Sequence, residues 1–102
     1  MYLMEFSMSP LEKGESVSAY VTRSLNIIDA SGLDYRLHAM GTIVEGELDE
    51  LLQVLKKCFD AMSEDSDRIT CSVKFDYRRG HQGRLESKVS SVERKLGRDL
   101  KT

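Results

Sequence analysis

Apolar residues in this chain recur at two spacings, and the order in which those spacings alternate limits the folds open to it more than any other feature. Tyr2, Met4, Phe6 and Met8 fall on every second position, with Leu3, Glu5, Ser7 and Ser9 between them, the period of a half-buried strand over residues 2–9. Pro10 ends that strand, because it has no N–H to offer a ladder. After the loop Glu12, Lys13, Gly14 and Glu15, the period lengthens to that of a helix in Val17, Val21, Leu25 and Ile28, with Ser16 placed to cap it and Ser31-Gly32 to stop it. Two short strands are predicted over 33–38 and 42–47, joined by Ala39, Met40 and Gly41 as a hairpin loop. The strongest helical stripe follows, in Leu48, Leu51, Leu52, Leu55, Cys58, Phe59 and Met62. Glu47, Asp49 and Glu50 stand at its start and Lys56 and Lys57 further on, the polarity that suits a helix dipole. Ile69, Cys71, Val73 and Phe75 restore the two-residue period in a strand that reaches Tyr77, and Leu85, Val89, Val92 and Leu96 mark a last helix.

The order βαββαβ with a terminal helix defines an α+β, ferredoxin-like sandwich. It has a four-stranded antiparallel sheet, both main helices on one face, and an additional C-terminal helix. At 102 residues the chain has room for one such domain, 1–102. The second face of the sheet is expected to be bare and to carry Glu5, Ser7, Arg36, His38, Ile43, Glu45, Ser72 and Lys74. That surface is too polar for a core and rich in groups that bind or pair, so it calls for a second copy or a ligand.

Charge narrows the partners. Lys and Arg number 15 against 17 Asp and Glu, a formal net charge of -2, so no global positive field gathers phosphate backbones or anionic membrane. An RNA-recognition module shares the element order, but it stacks bases on aromatic side chains where this chain has Glu5, Ser7, Ile43 and Glu45. The N-terminus lacks a basic segment followed by a long apolar run, and no stretch approaches the roughly 18 apolar residues of a spanning helix. A cytoplasmic location is expected. Cys58 and Cys71 fall in a helical stripe and an alternating strand, where small thiols pack as inert core, and no disulfide is expected between them.

Several stretches read together as a known pattern. These are Met4-Glu5-Phe6-Ser7-Met8-Ser9-Pro10, Ser16-Val17-Ser18-Ala19-Tyr20-Val21, Gly32-Leu33-Asp34-Tyr35, Met40-Gly41-Thr42-Ile43-Val44-Glu45-Gly46-Glu47, Asp76-Tyr77-Arg78-Arg79 and Lys88-Val89-Ser90-Ser91-Val92. The pattern resembles the small thiamine-binding protein family, long known only as a conserved family of unknown function, across nearly the whole chain and in the same order. The most specific piece is Met40-Gly41-Thr42 followed by Glu45-Gly46. The resemblance implies a ferredoxin-like protomer that forms homodimers or homotetramers through its sheets, and a ligand that is thiamine or its hydroxymethylpyrimidine half.

Such a ligand wants a carboxylate for the aminopyrimidine edge and an apolar or aromatic wall. Glu45 is the candidate acid, although a solvated strand carboxylate or an ion pair with Arg36 or Lys74 of another subunit is an equal reading. Thr42 is the candidate hydrogen-bonding hydroxyl, Met40 and Tyr35 the candidate wall, Ser7 a second hydroxyl and His38 a further contact. Thr42 and Glu45 are an odd number of residues apart, so an unbroken strand aims them at opposite faces. Either the strand bulges near Gly41 or one of the two is structural.

No catalytic residue, metal site or cofactor is expected. His38 and His81 have no partners at ligand spacing, and Ser7, Ser16 and Ser18 have no motif that sets a base beside them. The loop with Arg78, Arg79, His81 and Arg84 gathers cations able to hold a phosphate, without the glycine pattern of a strand-loop-helix phosphate site. Two rivals remain beside a non-enzymatic ligand holder. One is a dimeric α+β barrel enzyme using His38 or Glu45 as acid or base, and the other is a regulatory assembly with no small ligand.

Overall fold

A computed structural model describes residues 1–11 and 18–102 of the protein. Its elements run β1 (Tyr2–Pro10), α1 (Ser18–Ser31), β2 (Asp34–His38), β3 (Gly41–Gly46), α2 (Leu48–Ser63), β4 (Ile69–Tyr77) and α3 (Arg84–Leu96). The expected cap at Ser16 and core position Val17 lie outside the described residues. The four strands form one antiparallel sheet in the order β2-β3-β1-β4, the ferredoxin-like arrangement with a C-terminal helix added.

One face of the sheet carries the core. Met4, Phe6 and Met8 of β1 and Val44 of β3 pack against Ile28 of α1 and Leu51, Val54, Cys58 and Met62 of α2. The two helices are tied at one end by Arg23, whose guanidinium donates to both carboxylate oxygens of Asp65 at 2.8 and 2.7 Å while lying 4.9 Å from the centre of the Tyr20 ring. The start of α2 closes on itself, because Glu50 Oε1 accepts the Glu47 N–H at 3.0 Å.

The β2–β3 hairpin is tighter than the sequence suggests. His38 pairs with Gly41, so the loop is Ala39 and Met40 alone and Gly41 opens β3. Glycine is needed there for approach rather than for a turn angle, since a Cβ on residue 41 would sit 3.0 Å from the Phe6 carbonyl oxygen.

The second face is not bare. Its row contains Leu3, Glu5 and Ser7 of β1, Ile43 and Glu45 of β3, and Lys74 and Asp76 of β4, by the register of the pairs. Helix α3 lies on this side, with Leu85 buried and Ile43, Leu85 and Val89 lining a common groove. The expectation of an uncovered face is thereby corrected: the chain's own last helix seals the part around Glu45, while Glu5, Ser7, Arg36, His38, Ser72 and Lys74 stay exposed. Helix α3 is bracketed by two glycines in the left-handed region, Gly83 at φ 68° and Gly97 at φ 71°, where a residue with a Cβ would be strained.

Candidate functional site

A cleft of about 380 Å³ opens between α1 and the β1–β3 strands beside the hairpin. Phe6 and Met8 of β1, Val21 and Leu25 of α1, and Leu37 of β2 give it apolar walls. Ser24, Met40 and Thr42 supply polar and polarisable atoms, and Ser7 and His38, on the far face by register, border it. That volume lies in the lower part of the range that small-molecule sites occupy, and walls of this kind with a few fixed polar groups are their usual make-up. His38 is the one ionisable imidazole, carboxyl or cationic side chain among the described lining residues.

Four of the six residues singled out from the sequence border this cleft, on both faces of the sheet. Thr42 is 5% exposed on the helix side of the sheet, opposite Phe6. Met40, at the hairpin tip, is 88% exposed, an uncommon position for a large apolar side chain unless something packs on it. Ser7 and His38 are exposed and border the cleft, but the strand register places both on the far face of the sheet, with Glu5 and Arg36. The other two lie elsewhere. Tyr35 pairs with Val44 and turns its hydroxyl to α1, donating to Asp29 Oδ1 at 2.8 Å, a bond that raises the phenol's proton affinity. Glu45 is on the far face, so β3 runs without a bulge between Thr42 and Glu45 and the two share no site.

The Glu45 carboxylate is engaged with α3. Its Oε2 accepts the backbone N–H of Arg84 at 2.9 Å, at the first residue of the helix, where Gly83 has no side chain to cap it. The Arg84 guanidinium then donates to Asp76 Oδ2 at 2.8 Å, and Lys88 reaches the same oxygen at 2.8 Å. Hydrogen bonds from Lys88 and then Arg84 hold the Asp76 carboxyl below the ordinary aspartate range. A depressed folded value means that the stabilisation is present above the unfolded value, about pH 4, and is lost as pH falls through the folded one. Acid titration followed by amide exchange in α3 is expected to show the helix loosening below about pH 4, with the response flattened in Asp76→Asn. An unaltered acid response in that variant would remove this latch from the account.

Ser24 escaped the sequence reading. It sits between Val21 and Leu25 on the inward side of α1, 6% exposed, and its hydroxyl has no partner at hydrogen-bond geometry among the described residues. The neighbouring group is the Cys58 thiol, whose proton affinity burial pushes up and a weak interaction with the Ser24 hydroxyl pulls partly back. A polar residue three after one apolar stripe position and four before another was the signal available in the sequence. Cys58 and Cys71 are both free thiols, the first buried and the second half-buried, and burial raises the proton affinity of each. No group of three or more His, Cys, Asp or Glu side chains gathers at metal-binding distance among the described residues, and no helix there is long and apolar enough to cross a membrane.

Fold and cleft together define a small ferredoxin-like α+β domain with a ligand-sized cavity between helix and sheet. Comparison with known proteins gives the family: residues 4–93 match the model of the thiamine-binding protein family, and the chain belongs to it. A UPF0045 protein of Methanocaldococcus jannaschii is 36% identical over 88 residues, which are 86% of this chain and 88% of that one. The crystal structure of a hypothetical protein from the same organism aligns with a TM-score of 0.83 at 35% identity, covering 89% of this chain and 94% of that one. A Thermotoga maritima protein named for thiamine biosynthesis or salvage has the same fold, with a TM-score of 0.78 at 22% identity over 89% of this chain and 97% of its own.

Proposed function

We propose that the protein is a non-enzymatic holder of thiamine or of its hydroxymethylpyrimidine half, working in the cytoplasm as a homodimer or homotetramer. The observation that carries this reading is the cleft beside the hairpin, lined by Thr42, Met40 and Ser24, the last with no partner at hydrogen-bond geometry among the described residues. Membership of a thiamine-binding family supplies the ligand class.

An aminopyrimidine presents ring nitrogens that accept and an amino group that donates, and serine and threonine hydroxyls do both. Phe6, Met8 and Met40 offer ring and sulfur surface for its flat faces. No carboxylate is among the described lining residues, so the reading puts the neutral pyrimidine inside and leaves the cationic thiazolium of thiamine toward water. General acid–base work calls for a positioned proton donor or acceptor matched to its reaction. No carboxylate is among the described residues lining the cleft to serve as an acid or base there, which favours holding over turnover.

Isothermal titration with thiamine and with hydroxymethylpyrimidine tests the proposal. Saturable binding is expected for at least one of them, weakened about 3- to 10-fold by Thr42→Val and by Ser24→Ala, the loss of one net hydrogen bond each. Ser24→Ala is expected to leave thermal stability nearly intact, since the hydroxyl meets only the weakly bonding Cys58 thiol among the described residues. Absence of heat with both ligands, or equal affinity in both variants, would defeat the reading.

A further inference from the structure

Strand β1 has more sheet on one side than on the other. It pairs with β4 through all nine of its residues, Tyr2–Pro10, but with β3 only from Tyr2 to Phe6. Beyond Phe6 the β2–β3 hairpin has already turned, so the β3 side of β1 faces no strand from Ser7 onward. The notch left there is part of the cleft, with Ser7, Met8 and Ser9 on one side and the hairpin tip, His38 to Gly41, on the other. Because it passes between strands, Ser7 and His38 border it from the far face. A smaller hollow of about 190 Å³ on that face shares Phe6, Ser7 and Met40 with the cleft.

The main chain at this notch has a fixed polarity. Along a strand the N–H and C=O of one residue point to the same side, and those of the next residue to the other. The Phe6 carbonyl oxygen faces Gly41, 3.0 Å from the place of a Cβ there, so the even residues of β1 serve the β3 side and the odd ones serve β4. Pro10 fits the same parity, because a nitrogen without hydrogen is tolerated in a paired strand where it faces the open side. Met8 is the even residue between them. Its N–H and C=O point into the notch, and neither has a hydrogen-bond partner among the described residues. Met8 is 5% exposed, and main-chain groups in such a place ordinarily find a partner.

An aminopyrimidine carries an accepting ring nitrogen beside a donating amino group, so it can pair with one strand residue much as a neighbouring strand does. We propose that Met8 reads the aminopyrimidine edge of the ligand with its main chain. Its N–H donates to a ring nitrogen and its C=O accepts from the amino group, and the ring stands where a longer β3 would have paired. The inference rests on the ligand class proposed above and adds the basis of its selection. A pyrimidine without the amino group leaves the Met8 carbonyl unpaired in a buried place, and is rejected for that reason.

Amide exchange followed by NMR on the full chain tests it, with hydroxymethylpyrimidine as the probe, or thiamine, which carries the same ring, should thiamine alone bind. In the free protein the Met8 amide is expected to exchange at least about tenfold faster than those of Ser7 and Ser9, which β4 holds. Saturation with the probe is expected to slow Met8 at least about tenfold more than it slows Ser7 and Ser9. The same compound without its amino group is expected to bind about tenfold or more weakly in titration. Three results would each overturn this reading and leave the ligand proposal standing: a free-state Met8 amide as slow as its neighbours, a bound-state one slowed no more than they are, or equal affinity for the two compounds. Absence of binding by both hydroxymethylpyrimidine and thiamine would overturn both.

Discussion

Leu51→Ala is expected to lower the unfolding free energy by about 2–5 kcal/mol, while Leu52→Ala, one residue along, is expected to cost less than about 1 kcal/mol. Leu51 is fully buried in the cluster with Met4, Val44 and Ile28, so its removal leaves a cavity that a packed sheet and two helices cannot collapse around. Leu52 is 43% exposed, and its methyls lose only partial contact. Urea denaturation of both variants measures the contrast. For a domain of this size the larger loss is a substantial share of total stability, so Leu51→Ala also shifts the midpoint without altering the slope. Equal losses at the two positions would show that α2 presents a different side to the sheet.

The same pair of leucines shows what a sequence stripe can and cannot resolve. Period alone placed 48, 51, 52, 55, 58, 59 and 62 on one side of α2, and that side does face the sheet. The buried residues are Leu51, Val54, Cys58 and Met62, a narrower line that includes Val54 and leaves out Leu52. Apolar spacing gives the direction of a helix face to within a residue, and the neighbouring helix decides which edge of it is covered. Strand order was legible for a similar reason, since a two-residue period and right-handed crossovers leave few topologies. The hairpin bounds were not: Gly41 pairs with His38 and passes the Phe6 backbone, distant in sequence, too closely for a side chain.

The candidate site was legible through parity and obscured by α3. An odd separation already set Thr42 and Glu45 on opposite faces, and the register of β3 against β1 keeps them there. What the sequence could not say was where the last helix would lie, because its stripe of Leu85, Val89, Val92 and Leu96 would pack on any apolar surface. Its position is fixed by polar contacts instead, Glu45 to the Arg84 N–H and Asp76 to the Arg84 and Lys88 side chains, which link residues 39, 8 and 12 apart in sequence. Ser24 left only a faint mark, its spacing from Val21 and Ile28 on the apolar stripe, because a single serine in a helix is ordinarily turned to solvent.

Replacing Glu45 by alanine separates the two parts of the molecule and carries the second large effect. The carboxylate is 6% exposed and serves as the cap that Gly83 lacks, so its loss strands the Arg84 N–H against the sheet. A buried donor left without an acceptor costs about 1–3 kcal/mol, with a further loss of about 0.3–1 kcal/mol from removing a negative charge at a helix N-terminus. The effect should be local: amides of residues 84–96 exchange faster, while those of β1, β3 and α2 keep their protection. Glu45→Gln, which retains an acceptor oxygen and loses the charge, is expected to fall between wild type and Glu45→Ala. Because Glu45 and the cleft are on opposite faces, affinity for thiamine or hydroxymethylpyrimidine is expected to stay within twofold in both variants. A collapse of ligand binding in Glu45→Ala with α3 still protected would mean the opposite: the acid leaves α3 to meet the ligand, and the site is on the far side of the sheet.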